Sequence, residues 1–170
     1  MSQPPATARL YRPNVGLIVF NRQGEVLMGE RLNVPGSWQF PQGGIDEGEA
    51  SQVAACRELY EEVGITVGDG TGEARLVYGH EPWLYYEFPD GLNLSGKWAK
   101  YRGQKQQWFA FYWDQPATSC NLDTHQREFT KVQYLPLANC ADTIVPFKKP
   151  IYEELITVFT PVISDYLANL

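Results

Sequence analysis

Apolar residues along the chain follow two periods, one of strands and one of helices. A nearly unbroken apolar run at 15–20 leads into the turn-forming Asn21-Arg22-Gln23-Gly24, and 25–31 then sets Val26 and Met28 on one side, which predicts a β-hairpin. The pattern breaks at Leu32-Asn33-Val34-Pro35-Gly36, resumes as a short strand at 38–40, and breaks again at Pro41-Gln42-Gly43-Gly44, read as a glycine loop. Between 50 and 63 there is neither Gly nor Pro, and Val53, Cys56, Leu59, Tyr60 and Val63 recur at helical spacing until Gly64 ends the series. Segments 74–78, 83–88, 107–113 and 131–135 are rich in aromatic and β-branched residues and are separated by turn-prone stretches, which predicts four more strands. After Pro150, the positions Ile151, Leu155, Val158, Phe159, Val162 and Tyr166 predict a helix packed on the sheet and bent or divided at Pro161. Strands interleaved with two helices point to a layered α/β domain.

Composition narrows the function. At 170 residues the chain has the length of a single domain spanning 1–170, able to bury roughly two-thirds of its unfolded surface. A net charge of −6 argues against gripping a long nucleic-acid backbone by counterion release, while leaving local capture of a polyanion open. No apolar run has the length of a membrane span and residues 1–9 lack the apolar stretch of a signal peptide, so the chain reads as cytoplasmic, with no membrane partner and no obligate protein partner inferred. Cys56, Cys120 and Cys140 are odd in number and lack the spacing of a zinc site, so they read as reduced thiols, with Cys56 a packing residue. His80 and His125 have no metal-like spacing either.

The 50–63 helix carries the chemistry. At about 100° per residue Glu58, Glu61 and Glu62 share one sector, read as the face opposite Val53, Cys56, Tyr60 and Val63. Like charges at these spacings cost a few tenths of a kcal/mol each, and the C-terminal half of a helix is the wrong end of its dipole for acids. A hard divalent cation relieves that repulsion, and Arg57, four residues before Glu61, is placed to orient the carboxylates. Taken alone, three glutamates read first as a solvated face. Gly43 and Gly44 upstream, whose backbone N–H groups can approach an anion, and Glu49 before the helix turn the reading toward a phosphate-and-metal site.

Gly43, Glu49, Arg57-Glu58-Leu59, Glu61-Glu62 and Gly64-Ile65 match the pattern GX5EX7REUXEEXGU, U being aliphatic, at all nine specified positions. In this the chain resembles the Nudix hydrolases. Segments 11–16, 31–44, 103–109 and 147–152 further resemble the subfamily holding plant-type asymmetric diadenosine tetraphosphate hydrolases and bacterial RNA pyrophosphohydrolases, with 83–88 and 147–150 closer to the plant type. The resemblance implies an α/β/α sandwich with a mixed sheet and hydrolysis of a phosphoanhydride dependent on Mg²⁺, with Mn²⁺ as a substitute. It implies Glu58, Glu61 and Glu62 as metal ligands, Arg57 as their orienting partner and Glu62 as an aid to the attacking water.

By the same resemblance Glu128, aligned with the acid of a Pro-Glu-Phe motif whose proline is here Arg127, is a further ligand or base. Tyr86 and Phe147 resemble the aromatics that sandwich the base. Lys97, Lys100, Arg102 and Lys105 put four of the chain's fourteen basic residues within nine positions, a loop suited to a polyphosphate. Gln107 stands where the subfamily commonly has Lys, which leaves Lys105 as the expected phosphate contact. The expected partner is a nucleotide small molecule, with diadenosine tetraphosphate, cleaved to ATP and AMP, ahead of RNA 5′ ends. A non-catalytic nucleotide-binding module is disfavoured, because every glutamate of the pattern is present.

Overall fold

The computed structural model describes residues 10–170; the reading of residues 1–9 lies outside them. Strands β1 (Tyr11–Phe20) and β2 (Glu25–Arg31) meet at a tight turn in which the Asn21 side-chain oxygen accepts hydrogen bonds from the N–H groups of Gln23 and Glu25. They stay paired only at Phe20 and Val26 and then diverge. Strand β2 pairs antiparallel with β7 (Phe129–Pro136) along its whole length and, past the divergence, with the short β3 (Trp38–Gln39). The edge of β1 that β2 leaves is taken by β4 (Gln42–Gly44), and its other edge runs parallel to β6 (Gly103–Tyr112). Strand β5 (Arg75–Glu87) closes the order β3-β2-β1-β6-β5. One parallel pair among antiparallel ones makes the sheet mixed.

Successive residues of β1 point to opposite faces, and both faces are covered, which is why its sequence is apolar without alternation. Ile18 and Phe20 join Trp108 under helix α2 (Lys149–Ala168), whose Tyr152, Leu155 and Phe159 are fully enclosed. Val15, Leu17 and Val19 join Phe109 and Phe111 under helix α1 (Ser51–Val63). This is the expected α/β/α sandwich. No helix among the described residues is long and apolar enough to cross a membrane.

Four expectations need correction. The glycine loop is strand β4, because Gly43 and Gly44 pair with Val15 and Asn14. Segments 74–78 and 83–88 are one strand, β5, whose register slips between His80 and Leu84 around Pro82, a residue that cannot donate to the ladder. Pro161 does not divide α2; it lies on the exposed side, where water can serve the carbonyl its missing N–H leaves free. Finally, the buried arc of α1 is Ala54, Ala55, Leu59 and Val63, while Val53 and Tyr60 are exposed. Two alanines let the helix settle close to the sheet, and the arc they define carries Glu58 inward instead of away from the core.

Candidate active site

Where β1 and β2 diverge, a cleft of about 410 Å³ opens beside α1. Its acidic wall carries Glu58, Glu61 and Glu62 from α1 and Glu128 from the segment before β7. Arg57 organises this wall with all five of its donors. Nε and Nη2 donate to both carboxylate oxygens of Glu49 (2.9 and 2.8 Å), Nη1 donates to Glu58 (2.8 Å) and Glu61 (3.2 Å), and Nη2 also reaches the carbonyl of Gly44 (2.8 Å). Arg57 thus bonds Glu61, the residue four positions on, as well as its neighbour Glu58. Glu49 is not a spare acid: its hydrogen bonds from Arg57 above all, and one from the N–H of Asp46, hold its carboxyl down at about 2.

Gly43 explains how Glu58 enters the cleft. A Cβ at Gly43 would collide with the Glu58 carboxylate, so glycine here provides close approach between strand and helix. Gly64 has a different task. Its φ of +72° ends α1 in the left-handed conformation just past Glu62, with its N–H bonded to the carbonyls of Leu59 and Tyr60.

Glu128 arrives on a segment fastened to the end of α1. Asn121 N–H donates to the Val63 carbonyl, and the Thr124 hydroxyl donates toward the carbonyls of Tyr60 and Glu61. Arg127, in place of the expected proline, donates to both Asp123 oxygens and to the carbonyls of Phe129 and Thr130. Hydrogen bonds here hold a turn that proline would hold by its ring.

The acids crowd one another. Burial first, then the charges of Glu128, Glu58 and Glu61, push the Glu62 carboxyl up to about 9; burial also raises Glu58 and Glu128, against the pull of Arg57 on the former and Arg31 on the latter. Among the described residues no three acidic, imidazole or thiol groups close on a single point. Glu58 and Glu61 each give one oxygen to Arg57 and keep the other. Such a set suits Mg²⁺, which keeps several waters and takes a few carboxylates together with substrate phosphates instead of an all-protein cage.

The same cleft is lined by cations that the sequence did not disclose as one unit, Arg12 of β1, Arg31 at the end of β2, Lys97 of the β5–β6 connection and Lys148 before α2, with Arg12 acting on the Glu58 carboxyl and Arg31 on that of Glu128. Arg12 donates to Gln104 Oε1 (3.0 Å). Lys148 is buried, and desolvation together with Arg31 lowers its ammonium to about 8. Amides line the cleft as well, including Gln39, whose Oε1 is buried without a hydrogen-bond partner, and Gln42, which accepts from Gln106 (3.1 Å).

Three residues singled out from the sequence sit elsewhere. Lys105 lies over the Trp83 ring (4.6 Å) and does not line the cleft. Its strand neighbour Gln104 does, and adjacent strand residues face opposite ways. Tyr86 is 6% exposed and packs its ring against Phe88 and Phe147, with its hydroxyl bonded to Gln104; neither Tyr86 nor Phe147 lines the cleft. Tyr86 belongs to the core, and Phe147 packs against it half-buried. Gly43, Gly44 and His125 do line the cleft, whereas His80 packs on Phe159 of α2.

The NUDIX domain profile matches residues 10–155. The RNA pyrophosphohydrolase of Rhizobium meliloti (strain 1021) is 41% identical over 162 residues, covering 88% of this chain and 93% of that protein. The protein of the same name from Roseobacter denitrificans is 39% identical over 158 residues, covering 92% and 96%. Among solved structures, the E. coli dihydroneopterin triphosphate pyrophosphohydrolase aligns with a TM-score of 0.60 at 21% identity over 86% of this chain and 97% of that one. A C. elegans Ap4A hydrolase complex aligns with a TM-score of 0.58 at 19% identity over 94% and 99%. With the glutamate wall, the sandwich and these matches in agreement, the chain belongs to the Nudix family.

Proposed function

We propose that this chain is a metal-dependent pyrophosphohydrolase acting on triphosphorylated 5′ ends of RNA. The observation that carries the reading is that four glutamates and four cations line one cleft. Neither set alone suits a polyphosphate: bare acids repel it, and cations alone bind without activating it. Glu58, Glu61, Glu62 and Glu128 would hold divalent ions, which would supply charge neutralisation at the phosphoryl oxygens and activation of water. Arg12, Arg31, Lys97 and Lys148, which line the same cleft, hold the remaining phosphate oxygens and fix the chain of phosphorus atoms for in-line attack. Water adds to phosphorus and the anhydride between the first and second phosphates breaks, leaving a 5′-monophosphate and pyrophosphate. Glu62 is assigned to take the proton that water gives up, once a bound cation has displaced the proton its carboxyl holds in the metal-free protein.

The substrate order read from the sequence is reversed here. Relatives at 41% and 39% identity carry the name RNA pyrophosphohydrolase, whereas the likeness to the Ap4A hydrolase is at 19% and speaks for the fold alone. The net charge of −6 is compatible with an RNA substrate because its 5′ phosphates, and not a long backbone, meet the cations of the cleft. The test is product analysis: a 5′-triphosphorylated oligoribonucleotide with Mg²⁺ should yield pyrophosphate and a 5′-monophosphorylated RNA, and yield neither with EDTA or with Glu62→Gln. Unchanged RNA in the presence of Mg²⁺ would overturn the assignment.

A further inference from the structure

One helix places Glu58, Glu61 and Glu62, but Glu128 ends an irregular stretch, 120–128, in which no strand ladder sets its position. For Glu128 to act with the helix carboxylates, that stretch must be held to α1. The tie is made at the C-terminal end of the helix, whose last carbonyls lack an intrahelical partner. The Val63 carbonyl accepts from the N–H of Asn121 (2.9 Å), and the carbonyls of Tyr60 and Glu61 share the Thr124 hydroxyl (2.7 and 3.0 Å). The approach is close, since a Cβ at Gly64 would collide with Asn121.

Arg127 carries the tie across Glu128. Its Nη1 donates to both Asp123 oxygens (3.0 and 3.1 Å), while Nε and Nη2 reach past Glu128 to the carbonyls of Phe129 (2.9 Å) and Thr130 (3.0 Å). The Glu128 carbonyl accepts from the N–H of Leu32 (3.0 Å), which fixes the same point to the end of β2. Four of the five guanidinium donors are spent on this chain, so Arg127 is not a free cation for phosphate.

We propose that Thr124, Asp123 and Arg127 form a latch that fixes the Glu128 carboxylate relative to the three on α1. They are positioning residues, acting on the divalent ion through Glu128, and the proposal rests on the reading of Glu128 as one of the groups that would hold that ion. The latch couples the end of the helix to the fourth acid, so a change at Thr124 is felt at the ion without touching it. The competing role is to brace the fold alone, and this predicts losses that do not depend on Glu128.

Mn²⁺ binding to the metal-free protein, followed by electron paramagnetic resonance without substrate, separates the two. Thr124→Val, which removes the hydroxyl and keeps the shape, and Arg127→Ala should each raise the Kd for Mn²⁺ by about 10- to 100-fold, the range for losing a group that orients a metal ligand. Loss of a positive charge alone would instead lower that Kd. Thr124→Ser should bind as wild type. In a Glu128→Gln background neither change should move the Kd by more than about twofold, because the group they position is gone. With triphosphorylated RNA the latch variants should lose kcat at limiting Mg²⁺ and regain it in excess, with KM within about twofold. If Arg127→Ala does not fold, Thr124→Val and its serine control carry the test. Equal losses with and without Glu128, no loss in its presence, or a raised KM at unchanged Kd overturns the proposal. If Glu128→Gln alone leaves the Kd unchanged, the reading of Glu128 fails and the latch with it; if Glu128→Gln weakens binding and Thr124→Val does not, the latch alone is refuted.

Discussion

Glu62 and Lys148 sit in one cleft with their proton equilibria moved in opposite directions, and each yields a separate prediction. Glu62 in the folded, metal-free protein holds its proton up to about 9, against an ordinary value of 4.5. Between those values the folded state binds more protons than the unfolded one, so this group's contribution to stability falls as pH rises. The Tm of the metal-free protein minus that of Glu62→Gln should therefore decline from pH 5 to pH 8, and Mg²⁺ should flatten the decline by replacing the proton; a difference independent of pH would show that Glu62 is ionised without metal. Lys148 loses its charge near about 8, which weakens its hold on phosphate. The fall of kcat/KM above about pH 8 should accordingly be shallower in Lys148→Gln, which should also have a raised KM below that pH. Glu61→Gln should lower kcat by about 100-fold or more, the effect of losing several kcal/mol of charge stabilisation, without lowering metal-free stability, since a repulsion is removed. Calorimetry showing a loss of several kcal/mol would make Glu61 structural.

At the level of elements, α1 and β4 are made for one another around Arg57 and Gly43. Gly43→Ala should cost about 1–3 kcal/mol by overpacking against Glu58, read from urea unfolding, and should reduce kcat because the displaced carboxylate leaves the wall. Arg57→Lys keeps the charge and loses the fork on Glu49; activity should fall about 10- to 100-fold, as when the partner that orients a metal ligand is removed, and an unaffected enzyme would show that the carboxylates need no such brace. The acidic wall was legible because Glu58, Glu61, Glu62 and Arg57 share one helix and local spacing brings them together. The set of cations was not, because Arg12, Arg31, Lys97 and Lys148 come from four separate stretches of chain that only the divergence of β1 from β2 unites. Tyr86 and Lys105 misled for a related reason: in a strand one position decides between cleft, core and far face, and the irregular register of β5 hides that parity from the sequence. Val53 and Tyr60 are exposed in spite of their size, because Ala54 and Ala55 set the contact with the sheet and size in a sequence does not report burial.

Across the whole molecule, a splayed sheet covered by two helices brings opposite charges into one cleft in a chain of net charge −6. The cations concentrated at the cleft allow a compact run of phosphates to be held although the protein as a whole repels polyanions. The dependence of KM on salt should therefore be weak for a long triphosphorylated RNA and nearly equal to that for a short one, because only the 5′ phosphates are neutralised. A KM that climbs steeply with both salt and RNA length would instead reveal an extended backbone site. The most direct measurement is kcat/KM for a 5′-triphosphorylated RNA and for diadenosine tetraphosphate, taken side by side with the same enzyme, salt and Mg²⁺. The RNA is expected to be cleaved at least about tenfold more efficiently, equivalent to 1.4 kcal/mol or more of transition-state preference; a higher value for diadenosine tetraphosphate, with ATP and AMP as products, would contradict it.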